Sequence, residues 1–258
     1  MSQPMNSLLA DAHLRLMIMH RLPQLYRYFQ PISIAQLQNQ IEKAVTPEQL
    51  DQAVNALQER IWKLPVQDQQ LLRNRLVQIL STHALNANYS SLRLQAAQWL
   101  RLLAQAGLIS NPQEIFVTLV TATMIWSEKL SYLRLIADCF LAFHYPYPAF
   151  AWHLFPDNQT FYPLAPLLKQ ANEAMQEALI AIFAELSDLN DPQIIDYLLP
   201  VALSWSNHAN ADYRRQVTPV LAHINHKSSQ EALKRLQFDA DPIVRASAKQ
   251  AASNSRVI

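Results

Sequence analysis

Apolar residues recur along this chain with a helical rather than an alternating period almost everywhere. Helix starts are marked repeatedly by a capping residue followed by proline at the first helical position, where the missing N–H costs nothing. Thr46-Pro47, Asn111-Pro112, Asp191-Pro192 and Asp241-Pro242 are the examples. Thr46 also has Gln49 three residues on, the spacing of a capping box. Gly107 follows the apolar run ending at Leu103, as a helix C-cap should. Outside residues 143–162 every stretch reads as helix or short turn.

The helices repeat. Leu92-Arg93, Leu133-Arg134, Met175-Gln176, Tyr213-Arg214 and Val244-Arg245 open five similar helices, at steps of 41, 42, 38 and 31 residues. Offsets of 0, 4, 7 and 11 supply a buried stripe. They give Leu92, Ala96, Trp99 and Leu103; Met175, Leu179, Ile182 and Leu186; Tyr213, Val217, Val220 and Ile224. Leu133 is followed by Ala137 and Phe140, and Val244 by Ala248 and Ala251. An apolar helix precedes each one, at about 66–82, 112–126, 163–171, 192–205 and 229–237. Asn111-Pro112-Gln113 and Asp191-Pro192-Gln193 lie 80 residues apart, and Trp126-Ser127 and Trp205-Ser206 lie 79 apart, the length of two helix pairs. Such pairs cannot bury their apolar faces alone, and stacking supplies the missing surface. The pattern therefore predicts an all-α protein: an α-solenoid of stacked antiparallel helix pairs, forming one domain over 1–258. Residues 1–63 hold two or three further helices, as a cap or degenerate repeats. About five pairs fill 66–252, interrupted at 143–162.

The segment from Asp241 to Ala252, Asp-Pro-Ile-Val-Arg-Ala-Ser-Ala-Lys-Gln-Ala-Ala, resembles the second helix of a HEAT repeat, Asp-Pro-x-Val-Arg-x-x-Ala-x-x-Ala. Tyr89 to Ala97 is a weaker version. The resemblance covers roughly 66–252 as a period and is motif-specific only in the last repeat. It implies an armadillo-like α-solenoid of the HEAT type, wound as a right-handed superhelix. Members mostly bind other proteins, and a minority act as bilin lyase subunits or bind damaged DNA. The chain departs from the pattern in its scarcity of glycine, in Gln176 where arginine is usual, and in the 143–162 insertion.

Composition narrows the chemistry. The single glycine stands where an average chain of this length has about 18. Phosphate-cradling glycine loops, the dinucleotide fingerprint and the nucleophile elbow are excluded. With Cys139 as the one cysteine, an intramolecular disulfide and a Cys-rich zinc site are excluded too, and a cytoplasmic address fits. Met1 to Met5 has no basic region, and Arg15, His20 and Arg21 interrupt the apolar run at 16–19, so the N-terminus reads poorly as a signal peptide. The uncharged stretch between Glu114 and Glu128 is short of the ~20 residues that span a bilayer. Twenty-one Lys and Arg against 20 Asp and Glu give no broad field for nucleic acid.

Two candidate binding features remain. Arg93, Arg134, Arg214 and Arg245 would form a column on one side of the stack. Such a column either holds an acidic peptide or phosphates by bidentate bonds, or bridges neighbouring repeats through carboxylates and loop carbonyls. The second is the aromatic, proline-rich insertion, with His144, Tyr145, Tyr147, Phe150, Trp152, His153 and Phe155. Prolines prevent a regular helix there, and its rings either anchor a partner or pack back on the solenoid. Of the other tryptophans, Trp99, Trp126 and Trp205 read as core and Trp62 closes a helix end. His144 with His153, and His223 with His226, lack a third ligand at recognisable spacing, so no metal is expected. Cys139 reads as a buried, inert thiol. No acid–base pair or nucleophile stands out, and no cofactor is expected. The leading expectation is a non-enzymatic scaffold that binds a protein or peptide on its concave helical face and aromatic loop, with self-association allowed. The alternatives are a bilin-lyase-like maturation factor with His144 or Tyr145 on a tetrapyrrole, and a nucleic-acid-binding HEAT-like protein.

Overall fold

The computed structural model describes residues 33–106, 108, 112–144, 158–186 and 189–254. Among them the regular structure is helical: α1 Ile34–Glu42, α2 Pro47–Ile61, α3 Val66–Asn86, α4 Ser90–Gln105, α5 Pro112–Ile125 and α6 Lys129–His144. A 3-10 segment, Asn158–Lys169, follows, then α7 Glu173–Ala184, α8 Pro192–Trp205, α9 Ala211–Gln216, α10 Thr218–His223, α11 Lys227–Leu236 and α12 Pro242–Asn254.

The helices form two layers. The first holds α1, α3, α5, the 3-10 segment, α8 and α11, each packed on the next. The second holds α2, α4, α6, α7, the α9–α10 pair and α12, in the same order. Each first-layer element also packs on the second-layer helix that follows it, which is the arrangement of an α-solenoid. The apolar stripes meet between the layers. Leu92, Ala96 and Leu103 of α4, Leu179 and Ile182 of α7, and Val244 and Ala248 of α12 are all buried. No described helix is long and apolar enough to cross a membrane.

Local chemistry fixes the helix ends. Thr46 accepts from the Gln49 N–H at 3.3 Å, while the Gln49 amide reaches the Val45 N–H, one residue before the reciprocal site of a full box. Ser33 and Gln36 make the complete box at the start of α1. The Leu108 N–H closes α4 onto the Leu103 carbonyl at 3.2 Å, the six-residue bond of a Schellman end. Gly107 itself lies outside the described residues.

Proline accounts for two departures from the expected helices. The apolar helix expected at 163–171 is the 3-10 segment 158–169, which carries Pro163 and Pro166 inside it. Each proline removes a donor that an α-helix needs. The segment also takes up 158–162, which the sequence pattern places in the insertion. The helix expected from Tyr213 through Ile224 is split at Val217, because Pro219 cannot donate to the Arg215 carbonyl. The Thr218 hydroxyl donates to that carbonyl instead, at 2.9 Å.

Where the 3-10 segment stands in for an α-helix, aromatic rings fill the interior. Phe161 is fully buried, with its ring centroid 5.5 Å from Phe116 of α5 and 5.3 Å from Phe140 of α6. Phe116 and Phe140 are 4.7 Å apart. Phe140→Ala is therefore expected to cost about 3–5 kcal/mol through lost burial and a residual cavity, read as a lowered urea midpoint.

Candidate functional site

Three of the four arginines share one arrangement. Arg93, Arg214 and Arg245 each stand at the fourth position of a second-layer helix and turn Nη1 back on their own inter-helix loop. Arg93 donates to the Ala87 and Asn88 carbonyls at 2.9 and 3.3 Å. Arg214 donates to His208 and Ala209 at 2.8 and 2.9 Å, and Arg245 to Asp239 and Ala240 at 2.6 and 2.8 Å. Two of them also hold the loop of the following hairpin. Arg93 Nη2 meets Glu128 Oε1 at 3.0 Å, and its guanidinium stacks 3.8 Å from the centroid of Trp126. Arg214 is bidentate to Asp239, with Nε–Oδ2 at 2.8 Å and Nη2–Oδ1 at 2.9 Å.

Arg134 stands apart from these. It lies at the sixth position of α6, two residues or roughly 200° further round the helix than its expected counterparts. Tyr132 takes the fourth position, buried beside Arg93 and Glu128, and burial raises its phenol above the ordinary value. Lys129 does the loop-anchoring there, donating to the Thr123 carbonyl at 2.9 Å. Arg134 is exposed and makes no hydrogen bond or ion pair with a described residue.

Arg134 instead lines a groove of about 490 Å³ on the second layer, between α6 and α7. Its walls are Arg134 and Asp138 on one side and Glu177, Glu185 and Gln216 on the other. Its floor is alanine: Ala174, Ala178, Ala181 and Ala184 succeed one another along a single face of α7. This stripe runs one residue ahead of the buried Leu179 and Ile182, so the same helix that fills the interior leaves space outside. Elsewhere the second layer is bridged. Trp99 Nε1 and Gln95 Nε2 of α4 donate to Asp51 of α2 at 2.6 and 2.7 Å. Arg101 of α4 stands 3.8 Å from Asp138 of α6. Gln216 donates to Glu177 at 3.2 Å, and the Thr218 and Ser247 hydroxyls meet at 2.6 Å. Among the described side chains no such bond joins α6 to α7.

A second depression, about 510 Å³ between α1 and α2, is lined mainly by amides and alanines, with Lys43 its one charged side chain.

The aromatic candidates Tyr145, Tyr147, Phe150, Trp152, His153 and Phe155 lie outside the described residues, as does the side chain of His144. Phe161 and Tyr162, at the end of the same stretch, pack inward. Tyr162 donates its hydroxyl to Asp191 Oδ2 at 2.7 Å, across to the start of α8. Trp205 is buried and donates to Gln176 at 3.0 Å. Trp99 and Trp126 are half-buried, and Trp62 is 60% exposed beneath the guanidinium of Arg73. His226 caps α11 by accepting from the Ser228 N–H. No three described His, Cys, Asp or Glu side chains gather as a metal site.

The chain has no match among protein-family models and none among curated proteins. Solved structures do match. A designed armadillo repeat protein is 18% identical with a TM-score of 0.54, covering 86% of this chain and 99% of its own. A second designed armadillo repeat protein, in complex with the peptide (KR)4, is 18% identical with a TM-score of 0.53, over 86% of this chain and 99% of its own. An engineered protein, 16% identical, covers 87% of this chain and 96% of its own at 0.54. The fold is that of an armadillo/HEAT-like α-solenoid.

Two expectations follow from the site geometry. Arg214 holds the Asp239 carboxyl below the usual carboxylate range, chiefly through their hydrogen bonds, with help from the Asp241 N–H. A lowered folded-state pKa adds stability that is present above the unfolded value of about 3.9 and is lost as pH falls through the folded value. Asp239→Asn should cost about 2 kcal/mol at neutral pH, a difference that shrinks below pH ~4 in urea titrations. Burial pushes the Cys139 thiol up to about 12. Maleimide labelling at pH 7–8 should then be slow in the native protein and fast only after unfolding.

Proposed function

We propose that this protein is a non-enzymatic scaffold that holds an extended segment of a partner protein against its second helix layer, centred on the groove between α6 and α7. One observation carries the reading. Along a layer otherwise laced by side-chain bridges, the groove is the place where neighbouring helices leave an open channel with an alanine floor. A shallow channel with small residues at its base admits a peptide backbone, and polar rims fix its register.

The rim favours basic side chains. Asp138, Glu177 and Glu185 line the groove with the one cation Arg134, Arg101 standing 3.8 Å from Asp138 on its α4 side. The similar designed armadillo protein was solved with a peptide of alternating lysine and arginine, which supports the same preference in this chain. The aromatic stretch from Tyr145 to Phe155 directly follows α6 in sequence, and in this reading its rigid rings extend the contact as anchors.

The test is fluorescence anisotropy with a labelled (Lys-Arg)4 peptide. Saturable binding is expected to the wild type. Ala181→Trp, at an exposed position that fills the channel, should weaken it by more than roughly tenfold through steric exclusion, and Arg134→Ala should tighten it. Equal affinity for the wild type and Ala181→Trp would remove the groove from the proposal.

A further inference from the structure

Arg245 repeats half of an arrangement that Arg93 and Arg214 complete. All three turn Nη1 onto the two carbonyls of their own loop. Arg93 then offers Nη2 to Glu128, and Arg214 offers Nε and Nη2 to Asp239, in each case a carboxylate of the following hairpin. Arg245 belongs to the last described hairpin, and its Nε and Nη2 donate to no described residue. The nearby carboxylates are committed elsewhere: Asp239 holds Arg214, and Asp241 caps the N–H groups of Ile243 and Val244.

The helix that carries Arg245 is also charged where its predecessors are not. Four residues past the arginine, α4 has Ala97 and α10 has Thr218, both buried by the next hairpin. The same position in α12 is Lys249, which is exposed. Residues four apart share a helix face, so Lys249 and the unfilled edge of Arg245 lie together. The other exposed residues of the helix, Pro242, Ile243, Ala246, Gln250 and Ser253, bring no acid to neutralise them.

We propose that this end of α12 docks an acidic segment of a partner protein. One carboxylate takes the fork of Arg245 as Asp239 takes the Nε and Nη2 of Arg214, Glu128 taking Nη2 alone on Arg93, and Lys249 is the second cation. The internal precedents define the chemistry, because the same guanidinium, anchored by the same pair of carbonyls, receives a carboxylate twice within this molecule. The loop bonds hold the side chain before any ligand arrives, so little side-chain entropy is lost on docking. A planar fork selects a carboxylate in the plane of Nε and Nη2, which a lysine ammonium does not.

The test titrates the full chain, isotopically labelled, with a hexaglutamate peptide and follows the Arg245 Nε–H resonance. Saturable shifts are expected at Arg245 and Lys249. Arg245→Lys keeps the charge and loses the fork, and should weaken binding by roughly tenfold, the worth of a charge-assisted hydrogen bond. Lys249→Glu leaves the loop bonds intact and should weaken it as well. Arg215→Ala, at an exposed cation in an i,i+3 pair with Asp212, should leave it unchanged, as should Ala181→Trp in the α6–α7 groove. Shifts spread over all lysines and arginines without saturation would overturn the proposal. So would wild-type affinity in Arg245→Lys, or inorganic phosphate moving the same resonances at lower concentration than the peptide.

Discussion

Every hairpin of this molecule relies on its neighbours to cover an apolar face that it cannot cover itself. The buried stripe of each second-layer helix meets the first-layer helix of its own pair and the helices on either side. A single interior runs the length of the described stack, without separate cores that could stand apart. Stability in such an array is a sum of hairpin terms and nearest-neighbour interfaces, so a defect at one interface weakens both hairpins that share it. The aromatic cluster sits at the interface most exposed to that risk. A 3-10 segment is narrower than an α-helix and presents its side chains differently, and three phenylalanine rings occupy the volume it leaves.

Apolar stacking fixes how close the hairpins lie but is nearly indifferent to their rotation and to the course of their loops. The arginines supply that direction. A guanidinium with two edges ties its own loop with one and the next loop with the other, so two pairs of successive inter-helix turns are tied along one margin of the stack. Arg93 and Glu128 are largely removed from water, and Arg214 and Asp239 nearly so. Losing one partner in such a place leaves a charge without its counterpart, which costs more than the intact pair contributes.

Much of this was legible in the sequence. Capping residues before proline mark the starts of α2, α8 and α12, and the stripes at 0, 4, 7 and 11 name mostly buried residues, with Trp99, Ala137, Met175, Tyr213 and Ala251 half-buried. What misled the periodicity was local. The dipeptide Leu133-Arg134 imitates Leu92-Arg93, but α6 begins at Lys129 without a proline to fix its start, and the true counterpart of Arg93 is Tyr132. The split at Val217 was foreshadowed by Pro219, whose effect on the Arg215 carbonyl needs only its missing N–H. The loop staples were harder to see, because the carboxylate follows its arginine by 35 residues in one case and 25 in the other. The groove had a signal of its own, the alanines at 174, 178, 181 and 184, hidden beside the more conspicuous apolar stripe.

Net charge concealed the remaining feature. A balance of 21 cations against 20 anions implies an even surface only if the two signs are mixed everywhere. They are not. Carboxylates outnumber cations around the α6–α7 groove, while the outer face of α12 carries Arg245 and Lys249 with no acid on that face. In the proposed reading, a near-neutral solenoid of this kind distinguishes the two directions of a partner's chain, because a segment with its basic and acidic parts in one order meets complementary sites and in the reverse order meets like charge at both.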